Sequence, residues 1–503
     1  MPPTNTMPTN LPYWIPAYYM GNSPSEYNAA LFPAIKTIGV YFPQNPSQLH
    51  PLIKQIGPTM QGFDAQAQAT VWAGLRNFEN IIDVKFTPSS NGSDPGVINY
   101  VKTPLKSGAA GEGYATKSYG PGAVLIEPGY AAPGSTGEGW LLAHETMHAL
   151  GLDHPYEGTH KIQPQDNGSL WTGVSSNSTD TRVVPPGFLD QVGFSPQVLD
   201  IAALQYLYGP SKSVRTGNDT YKLVENDANF IWDAIGNDTI DGQHLTKGIT
   251  LDLNPGGWGH IGAKDTFITA PGQVTVNYGS TIENVLGTNF ADVITGNSAN
   301  NVLKGFGGND IFKLATGNDT VDGGTGIDTV VLNGVRGAYA ASKAGETVRL
   351  TSAADGAKAL TSVERVLFNK GTDATAYDIA NGGFAGDTIK LLAVAAGTAM
   401  VANKDIAGVG IAFRDAGMTR DEVSDAAINA VVGPTGSNMD VVDVLLFNLT
   451  GVHHSRADMQ PYVDLLDQGV FTRGSLTSLA ADALDANVGL TGVASYDYIP
   501  FVV

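Results

Sequence analysis

The chain contains no cysteine among its 503 residues, which excludes disulfide bonds, thiolate metal sites and a cysteine nucleophile. Basic side chains are also scarce, because 28 Lys and Arg stand against 48 Asp and Glu, and the formal net charge is −20. This balance argues against binding to nucleic acids or anionic lipid, both of which need basic patches. No stretch of about 18 or more apolar residues occurs, so no transmembrane segment is expected.

Glutamate is the scarcer of the two acidic residues, with 12 Glu against 36 Asp, while Gly and Pro are plentiful at 61 and 28. A chain that is poor in Glu and rich in Asp and Gly favours turns, strands and oxygen-ligand sites over long surface helices. Its length and its 42% hydrophobic content predict about three domains with sizeable cores.

The most specific motif is a histidine-rich segment made of His144, Glu145, Thr146, Met147, His148, Gly151 and His154. Positions i and i+4 share one face of a helix, so His144 and His148 can bind one metal ion. Gly151 can end the helix in a left-handed conformation, which lets the chain turn back and present His154 as a third ligand. Glu145 is not needed as a ligand and is predicted to act as a general base. Three protein ligands leave one position for water, as is typical of a catalytic zinc site.

A second motif has a period of nine residues. Acidic or amide side chains recur without a break at Asp292, Asn301, Asp310, Asp319 and Asp328, and an apolar residue follows two places after each, at Ile294, Leu303, Phe312, Val321 and Val330. Glycine lets backbone carbonyls point at a cation, and Asp supplies charge for a hard, oxygen-loving ion such as calcium. The predicted calcium-binding residues are Asp292, Gly305, Gly307, Gly308, Asp310, Gly317, Asp319, Gly323, Gly326 and Asp328. Asp233 and Asp238 are further candidates, with a role in a turn as the alternative.

The histidine-rich segment, HETMHALGLDHP at 144–155, resembles the zinc motif of the metzincin peptidases, and within them of the serralysin group. Residues 63–86 are similar to the group's opening helix and strand, and residues 199–209 to the end of its catalytic domain. The resemblance implies an endopeptidase with His144, His148 and His154 on zinc and Glu145 as general base.

The nine-residue pattern resembles the RTX nonapeptide, whose turns bind calcium and whose apolar positions form short strands of a parallel β-roll. In that family two repeats make one coil, so turns eighteen residues apart share ions. The resemblance therefore implies one column of Asp292, Asp310 and Asp328 (the first column) and another of Asn301 and Asp319 (the second column).

The chain departs from the serralysin pattern below the zinc motif. Metzincins carry a methionine-containing turn beneath the metal, and in serralysins a nearby tyrosine reaches the metal. Here no Met occurs between Met147 and Met400, and no Tyr between Tyr156 and Tyr206. The replacement for the turn is either 169–173, in which Trp171 could fill the methionine's volume, or 173–177.

These patterns predict a multidomain protein with an α+β metzincin catalytic domain, a parallel β-roll of RTX repeats and a small, mostly α-helical C-terminal module. The predicted segments are a leader or pro-segment at 1–20, a zinc metalloprotease domain at 21–210, an RTX calcium-binding β-roll at 211–335, a β-rich extension at 336–380, a helical module of unknown function at 381–490 and a candidate C-terminal secretion signal at 491–503.

The predicted function is that of a secreted, extracellular zinc-dependent endopeptidase that hydrolyses extracellular proteins and is stabilised by its calcium-bound roll. The expected cofactors are Zn²⁺ and Ca²⁺. The expected partners are protein or peptide substrates and the type I secretion machinery, and no nucleic acid. The missing Met and Tyr motivate an alternative, a calcium-binding surface or matrix protein whose protease domain is weakened or vestigial.

Overall fold

The structure is a computed structural model of the protein. It describes residues 15, 36–56, 59–105, 107–115, 121–130, 136–156, 161–162, 164, 172–174, 196–368, 375–378, 384–401, 404–484 and 494–497. The chain divides into two compact units: residues 1–240 with 251–282 form the first, and residues 241–250 with 283–503 form the second. Among the described helices, none has the length and apolar character needed to cross a bilayer.

A five-stranded sheet lies at the centre of the first unit. Its strands are β1 (Thr37–Tyr41), β2 (Lys85–Pro88), β3 (Val97–Lys102), β4 (Gly111–Tyr114) and β5 (Gly122–Ile126), in the order β2-β1-β3-β5-β4. The first four strands in that order run parallel, whereas β4 lies at the edge and runs antiparallel to β5. The sequences VINYVK and GAVLI of β3 and β5 are almost entirely buried, as the near-continuous apolar runs of central parallel strands require.

Four helices belong to this unit: α1 (Pro51–Ile56), α2 (Ala65–Glu79), α3 (Thr136–Ala149) and α4 (Val198–Tyr208). Helix α2 begins directly after Asp64, whose side chain accepts a hydrogen bond from the Ala67 amide at 2.8 Å and so caps the first turn. It buries Val71, Leu75 and Phe78, which recur at helical spacing.

Helix α3 carries the first two histidines of the zinc motif. It begins at Thr136, although two glycines lower the helix propensity of its first turn. Tertiary contacts compensate: Glu138 in the first turn is buried, and its carboxylate lies 3.2 Å from Lys102 Nζ. At the other end, the Tyr208 hydroxyl donates to the Leu150 carbonyl at 2.8 Å and ties α4 to the end of α3.

Short strands follow α4 along the chain: β6 (Thr220–Lys222), β7 (Asn229–Ile231), β8 (Thr239–Asp241), β9 (Ile249–Asp252), β10 (Trp258–Ile261) and β11 (Gln273–Val276). Strands β10 and β11 pair antiparallel, and β11 pairs parallel with β7.

Two parallel ladders form the repeat region of the second unit. One contains β12 (Asn284–Leu286), β14 (Val302–Gly307) and β16 (Asp319–Thr325), and the other contains β13 (Val293–Thr295), β15 (Ile311–Leu314) and β17 (Thr329–Leu332). Strands pair eighteen residues apart, as Leu303 with Val321 shows. All five apolar residues of the nine-residue pattern are fully buried, because each side chain points between the ladders.

Both ladders continue beyond the repeats. A hairpin of β18 (Ala340–Ala344) and β19 (Thr347–Ser352) leads into β20 (Gly356–Thr361), which pairs parallel with β16 and antiparallel with β19. Strand β21 (Arg365–Phe368) extends the other ladder from β17, and β22 (Thr375–Asp378) and β23 (Ala494–Asp497) add to it antiparallel.

The remaining described part of the second unit is helical, as the sequence predicts. Its helices are α5 (Phe384–Ala396), α6 (Thr398–Val401), α7 (Lys404–Asp415), α8 (Arg420–Val432), α9 (Asn438–Thr450), α10 (Arg456–Asp467) and α11 (Arg473–Ala483). Thr419, Ser437 and Ser455 cap three of them through their hydroxyls. Leu391, Val441 and other apolar side chains form a core within this module.

The chain therefore has an α/β part, a β-rich middle region with nine-residue repeats and a helical C-terminal region. Several predicted segments lie outside the described residues. These are the leader at 1–20 except for Ile15, the replacement turn except for 172–174, and the candidate secretion signal except for the four residues of β23.

One buried hydrogen bond provides a test of how the sheet holds α3. Thr146 Oγ1 donates to the Leu142 carbonyl at 2.6 Å, so the Tyr100 hydroxyl of β3 is the donor in its 2.9 Å contact with Thr146 Oγ1. Replacing Tyr100 by Phe removes this bond, and we expect the free energy of unfolding of the first unit to fall by about 1 kcal/mol. All six tryptophans lie in this unit, so urea unfolding followed by tryptophan fluorescence reports on it. The control is Tyr130→Phe, at an exposed position; equal stability of the two variants would contradict the assigned bond.

Candidate metal centres

Three histidine side chains converge at the end of α3. Their Nε2 atoms lie 3.1 Å apart for His144 and His148, 3.1 Å for His148 and His154, and 3.3 Å for His144 and His154. Tetrahedral Zn–N bonds of about 2.0–2.1 Å place imidazole nitrogens about 3.4 Å apart. The three nitrogens therefore form a triangle of the size that one face of a tetrahedral zinc site requires.

Local backbone geometry brings the third histidine to the other two. Gly151 has φ +101°, and the amides of Gly151 and Leu152 donate back to the carbonyls of His148 and Met147. This left-handed helix end is strained for a residue with a side chain and turns the chain back towards α3. His154 thereby reaches the same point in space as the i and i+4 histidines.

Backbone carbonyls fix the orientation of two of the rings. His144 Nδ1 donates to the Gly173 carbonyl and His148 Nδ1 to the Leu152 carbonyl, each at 2.8 Å. Burial lowers the pKa of His144 to about 4 and the pKa of His148 to about 3, so both rings are neutral at pH 7. A neutral ring that donates through Nδ1 leaves its Nε2 lone pair for a metal ion.

Gly173, which is common to both candidate replacement turns, is itself held by a buried carboxylate. Asp200 accepts hydrogen bonds from the Gly173 amide at 2.5 Å, from the Thr172 hydroxyl at 2.6 Å and from the Gln197 amide at 2.8 Å. Sequence reasoning missed Asp200, although an Asp in the first turn of an otherwise apolar helix was a visible signal. A chain of hydrogen bonds thus runs from α4 through Gly173 to His144.

Glu145 lies against the edge strand β4. A Cβ atom on Gly111 would come within 2.7 Å of the Glu145 side chain, and one on Gly113 would collide with the backbone carbonyl of Glu145 and with the Cβ of His148. The strand can approach α3 this closely only because both positions are glycine. Burial, together with the charge of Glu112, raises the pKa of Glu145 to about 8.

Two aromatic rings that sequence reasoning did not single out lie beside the histidines. The ring centroid of Trp140 is 5.2 Å from that of His144, and the ring of Tyr156 stacks on His154 at 5.1 Å. Trp140 keeps 40% of its surface exposed, although most of the residues around it on α3 are buried. Its position one helical turn before His144 was the available sequence signal.

A second group of potential ligands lies in the first unit. Carboxylate oxygens of Asp219, Asp233 and Asp238 lie within 4.8 Å of one another, and the latter two residues are buried. Burial, together with the charge of Asp238, raises the pKa of Asp233 to about 6. Sequence reasoning named Asp233 and Asp238 but missed Asp219. The signal was the tetrapeptide Gly-Asn-Asp-Thr, which occurs at 217–220 and again at 236–239.

The first column forms a continuous stack of carboxylates. The Asp292 amide donates to Asp310 Oδ1, and the Asp310 amide donates to Asp328 Oδ1, each at 2.8 Å. The second oxygens of Asp310 and Asp328 are buried and have no hydrogen-bond partner among the described residues. Burial, with smaller contributions from neighbouring acidic groups, raises the pKa of Asp310 to about 8 and that of Asp328 to about 7. Buried carboxylate oxygens without donors fit a site that takes a cation.

Glycines let successive turns of the roll stack closely. Gly308 and Gly326 have φ +109° and +139°. A Cβ on Gly326 would collide with the Gly308 carbonyl, and one on Gly305 with the Asp310 carboxylate. A Cβ on Gly323 would lie 2.5 Å from the Asp328 carboxylate. The amide of Gly307 donates to the Thr288 carbonyl at 3.3 Å.

In the second column, a lysine side chain lies at the turn that contains Asp319. The Asn301 amide donates to Asp319 Oδ1 at 2.8 Å, which repeats the pattern of the first column. The other oxygen of Asp319, however, accepts a hydrogen bond from Lys358 Nζ at 2.6 Å, and the Gly317 carbonyl accepts one from the same atom at 2.8 Å.

Comparison with known proteins agrees with both motifs. The family model of the RTX calcium-binding nonapeptide repeat, in four copies, matches residues 286–321 and 315–330. Metallopeptidase AprA of Pseudomonas marginalis is 29% identical over 47% of this chain and 55% of its own length. Metalloprotease AprA of Pseudomonas entomophila is 29% identical over 48% of this chain and 55% of its own length. Serralysin C of Dickeya chrysanthemi is 30% identical over 32% of this chain and 37% of its own length.

The chain thus spans about half the length of the first two of these relatives. Among solved structures, the extracellular lipase LipA from Serratia marcescens matches 20% of this chain and 17% of its own at 21% identity, with a TM-score of 0.19, a likeness too slight to bear on the fold. The sequence matches and the repeats together show that the chain is homologous to the serralysin and AprA metalloproteases and carries RTX calcium-binding repeats.

Proposed function

We propose that the protein is a secreted zinc-dependent endopeptidase of the serralysin type with a metzincin catalytic domain. The observation that carries the proposal is the triangle of His144, His148 and His154 Nε2 atoms, at 3.1–3.3 Å, next to the buried Glu145. A structural zinc site usually has four protein ligands, whereas three ligands beside a carboxylate are typical of a catalytic one.

The three histidines would hold the zinc ion, and Glu145 would move the proton. When bound, zinc supplies a Lewis acid that polarises a peptide carbonyl and activates water. Glu145 follows His144 on α3 and lies under β4, so its carboxylate is placed to accept a proton from the attacking water and to pass it to the departing amine. The Gly173 and Leu152 carbonyls keep the His144 and His148 rings in the tautomer that binds metal.

The edge strand β4 offers a binding site for the backbone of a substrate. It pairs on one side with β5, and an extended peptide can add to the other side of such a strand by main-chain hydrogen bonds. Trp140 and Tyr156 supply aromatic surface beside the histidines. This arrangement supports proteins or peptides as substrates.

Calcium would bind along the first column, where Asp310 and Asp328 each keep an oxygen without a donor. Asp219, Asp233 and Asp238 supply the oxygen ligands that the same ion prefers. A chain without disulfides that is stabilised by calcium suits an environment in which calcium is abundant. We therefore propose an extracellular location and export by type I secretion machinery.

The first test of this function is the substitution Glu145→Gln, which keeps the shape of the side chain and removes its capacity to accept a proton. We expect cleavage of casein to fall by about 10²–10⁴-fold, the range of general acid–base contributions, while one zinc ion per chain is retained. Glu127→Gln, in the same unit, is the matched control. Equal and low activity in the wild type and in Glu145→Gln would instead support the alternative of a calcium-binding surface or matrix protein with a vestigial protease domain.

The second test concerns the support of His144 by Asp200. In Asp200→Asn the side chain loses its charge, so the two bonds that Oδ2 accepts from the Gly173 and Gln197 amides are weakened, and an NH₂ group replaces the oxygen that accepts from Thr172. We expect zinc to bind about 10-fold more weakly, at the lower end of the range for outer-shell partners, because Asp200 acts through Gly173. Competition with a zinc chelator measures the change. Asp265→Asn, in an exposed turn of the same unit, is the control; unchanged zinc affinity in Asp200→Asn would rule out this role.

The third test is the response of the full-length chain to calcium. Ligand binding to the folded state alone stabilises it by about 2.7 kcal/mol at a ligand concentration of 100 Kd. We therefore expect thermal unfolding of the second unit to move to higher temperature with calcium, and not with the same concentration of magnesium, which prefers octahedral sites with several waters. Circular dichroism and calorimetry measure the shift. Identical unfolding in calcium and in chelator would contradict calcium binding by the roll.

A further inference from the structure

Residues 353–358 form one more turn of the second column, although the nine-residue period has been interrupted. Asp319 pairs with Lys358 in the register of β16 and β20, a separation of 39 residues in place of the usual 18. The hairpin of β18 and β19 accounts for the extra residues. The sequence period could not show this turn because the insertion breaks it.

Two further contacts identify 353–358 as a repeat turn. Gly356 has φ +82° and packs on the Gly317 carbonyl. In the first column, Gly326 packs on the Gly308 carbonyl in the same way. The Ala357 amide donates to Asn318 Oδ1 at 2.9 Å, as the Asn318 amide donates to Asn300 Oδ1 at 2.7 Å. Lys358 is therefore at the place in the turn that Asp319 occupies in the turn before.

The ammonium group of Lys358 is enclosed by oxygen atoms. Nζ donates to the Ala315 carbonyl at 2.7 Å, to the Gly317 carbonyl at 2.8 Å and to Asp319 Oδ2 at 2.6 Å. The side chains of Lys358 and Asp319 are both 0% exposed. Lysine has three N–H donors, and all three have an acceptor. Two turn carbonyls and one carboxylate are also the type of ligand that calcium takes from such turns.

The first column ends differently at the corresponding place. The Asp328 amide donates to Glu364 Oε2 at 2.7 Å, so a carboxylate again follows a carboxylate. Asp310, Asp328 and Glu364 thus keep the same charge along the first column, whereas the second column runs from Asn301 through Asp319 to Lys358. Only the second column carries its own positive charge.

We propose that the Lys358 ammonium takes the position of a calcium ion in the turn at 314–319, so that the second column is closed by an internal cation and, of the two columns, the first alone binds calcium. The inference rests on the proposed calcium binding by the first column. It changes the role of Gly317 and Asp319, which accept hydrogen bonds from Lys358 instead of binding calcium.

The same substitution in the two columns separates the roles. After gel filtration of the full-length chain in calcium, the number of bound ions per chain is measured by plasma mass spectrometry. We expect Asp310→Asn to lose at least one calcium ion and Asp319→Asn to lose none. Loss of an ion in Asp319→Asn overturns the inference but does not contradict the proposed calcium binding by the first column. No loss in either variant shows instead that the proposed calcium site of the first column is wrong.

Removal of the ammonium is the complementary experiment. In Lys358→Met the two carbonyls and the Asp319 carboxylate are left without their cation, and we expect the chain to bind one more calcium ion than the wild type at saturating calcium. Lys304→Met, at an exposed position of the roll, is the control and should bind the wild-type number. An unchanged number in a folded Lys358→Met variant contradicts the inference.

The wild type provides a test that does not depend on the folding of any variant. Crystals grown in calcium should show anomalous scattering peaks beside Asp310 and Asp328 and none in contact with Asp319. A calcium peak bound to Asp319 or to the Gly317 carbonyl overturns the inference directly.

Discussion

The need to compensate buried charge governs both metal-related regions of this protein. A carboxylate or imidazole that is removed from water is stable only if it is neutral, hydrogen-bonded or paired with an opposite charge. His144 and His148 meet this requirement with neutral rings whose Nδ1 atoms donate to backbone carbonyls. In the first column, by contrast, Asp310 and Asp328 are buried with oxygens that lack a donor, and a bound cation is the compensation that we propose.

The same requirement explains how the site depends on residues that never approach a substrate. Asp200 is buried at the start of α4, and its two oxygens accept hydrogen bonds from Thr172 and Gly173 and from the Gln197 amide next to the helix. Gly173 links Asp200 to His144, because its amide donates to the Asp200 carboxylate and its carbonyl accepts a hydrogen bond from His144 Nδ1. A carboxylate that never contacts the histidines thus fixes the orientation of His144 through the backbone of Gly173.

Much of the candidate site could be predicted from the sequence because it depends on local spacing. The i and i+4 histidines and the helix end at Gly151 each follow from short-range geometry, whereas the eighteen-residue pairing of the repeats was implied by the resemblance to the RTX nonapeptide. Asp200, Trp140 and Lys358 could not be assigned in this way, because their roles depend on tertiary contacts. Lys358 is the clearest case: it lies 39 residues from Asp319, and the hairpin between them breaks the period that made the other turns visible.

The position of Lys358 at the end of a column also has a physical reason. Calcium takes six to eight oxygen ligands, which in a roll must come from two successive turns. Within a column each turn has a neighbour that supplies a further carboxylate, so this number can be reached. At 314–319 the next turn has Lys358 in the place of a carboxylate, while its Asp355 accepts a hydrogen bond from the Tyr339 hydroxyl. Two carbonyls and Asp319 surround the ammonium group. These three acceptors match the three donors of an ammonium group, whereas calcium at this place would need water to complete its coordination. An internal lysine is therefore the cation best suited to close a ladder where its ligands run out.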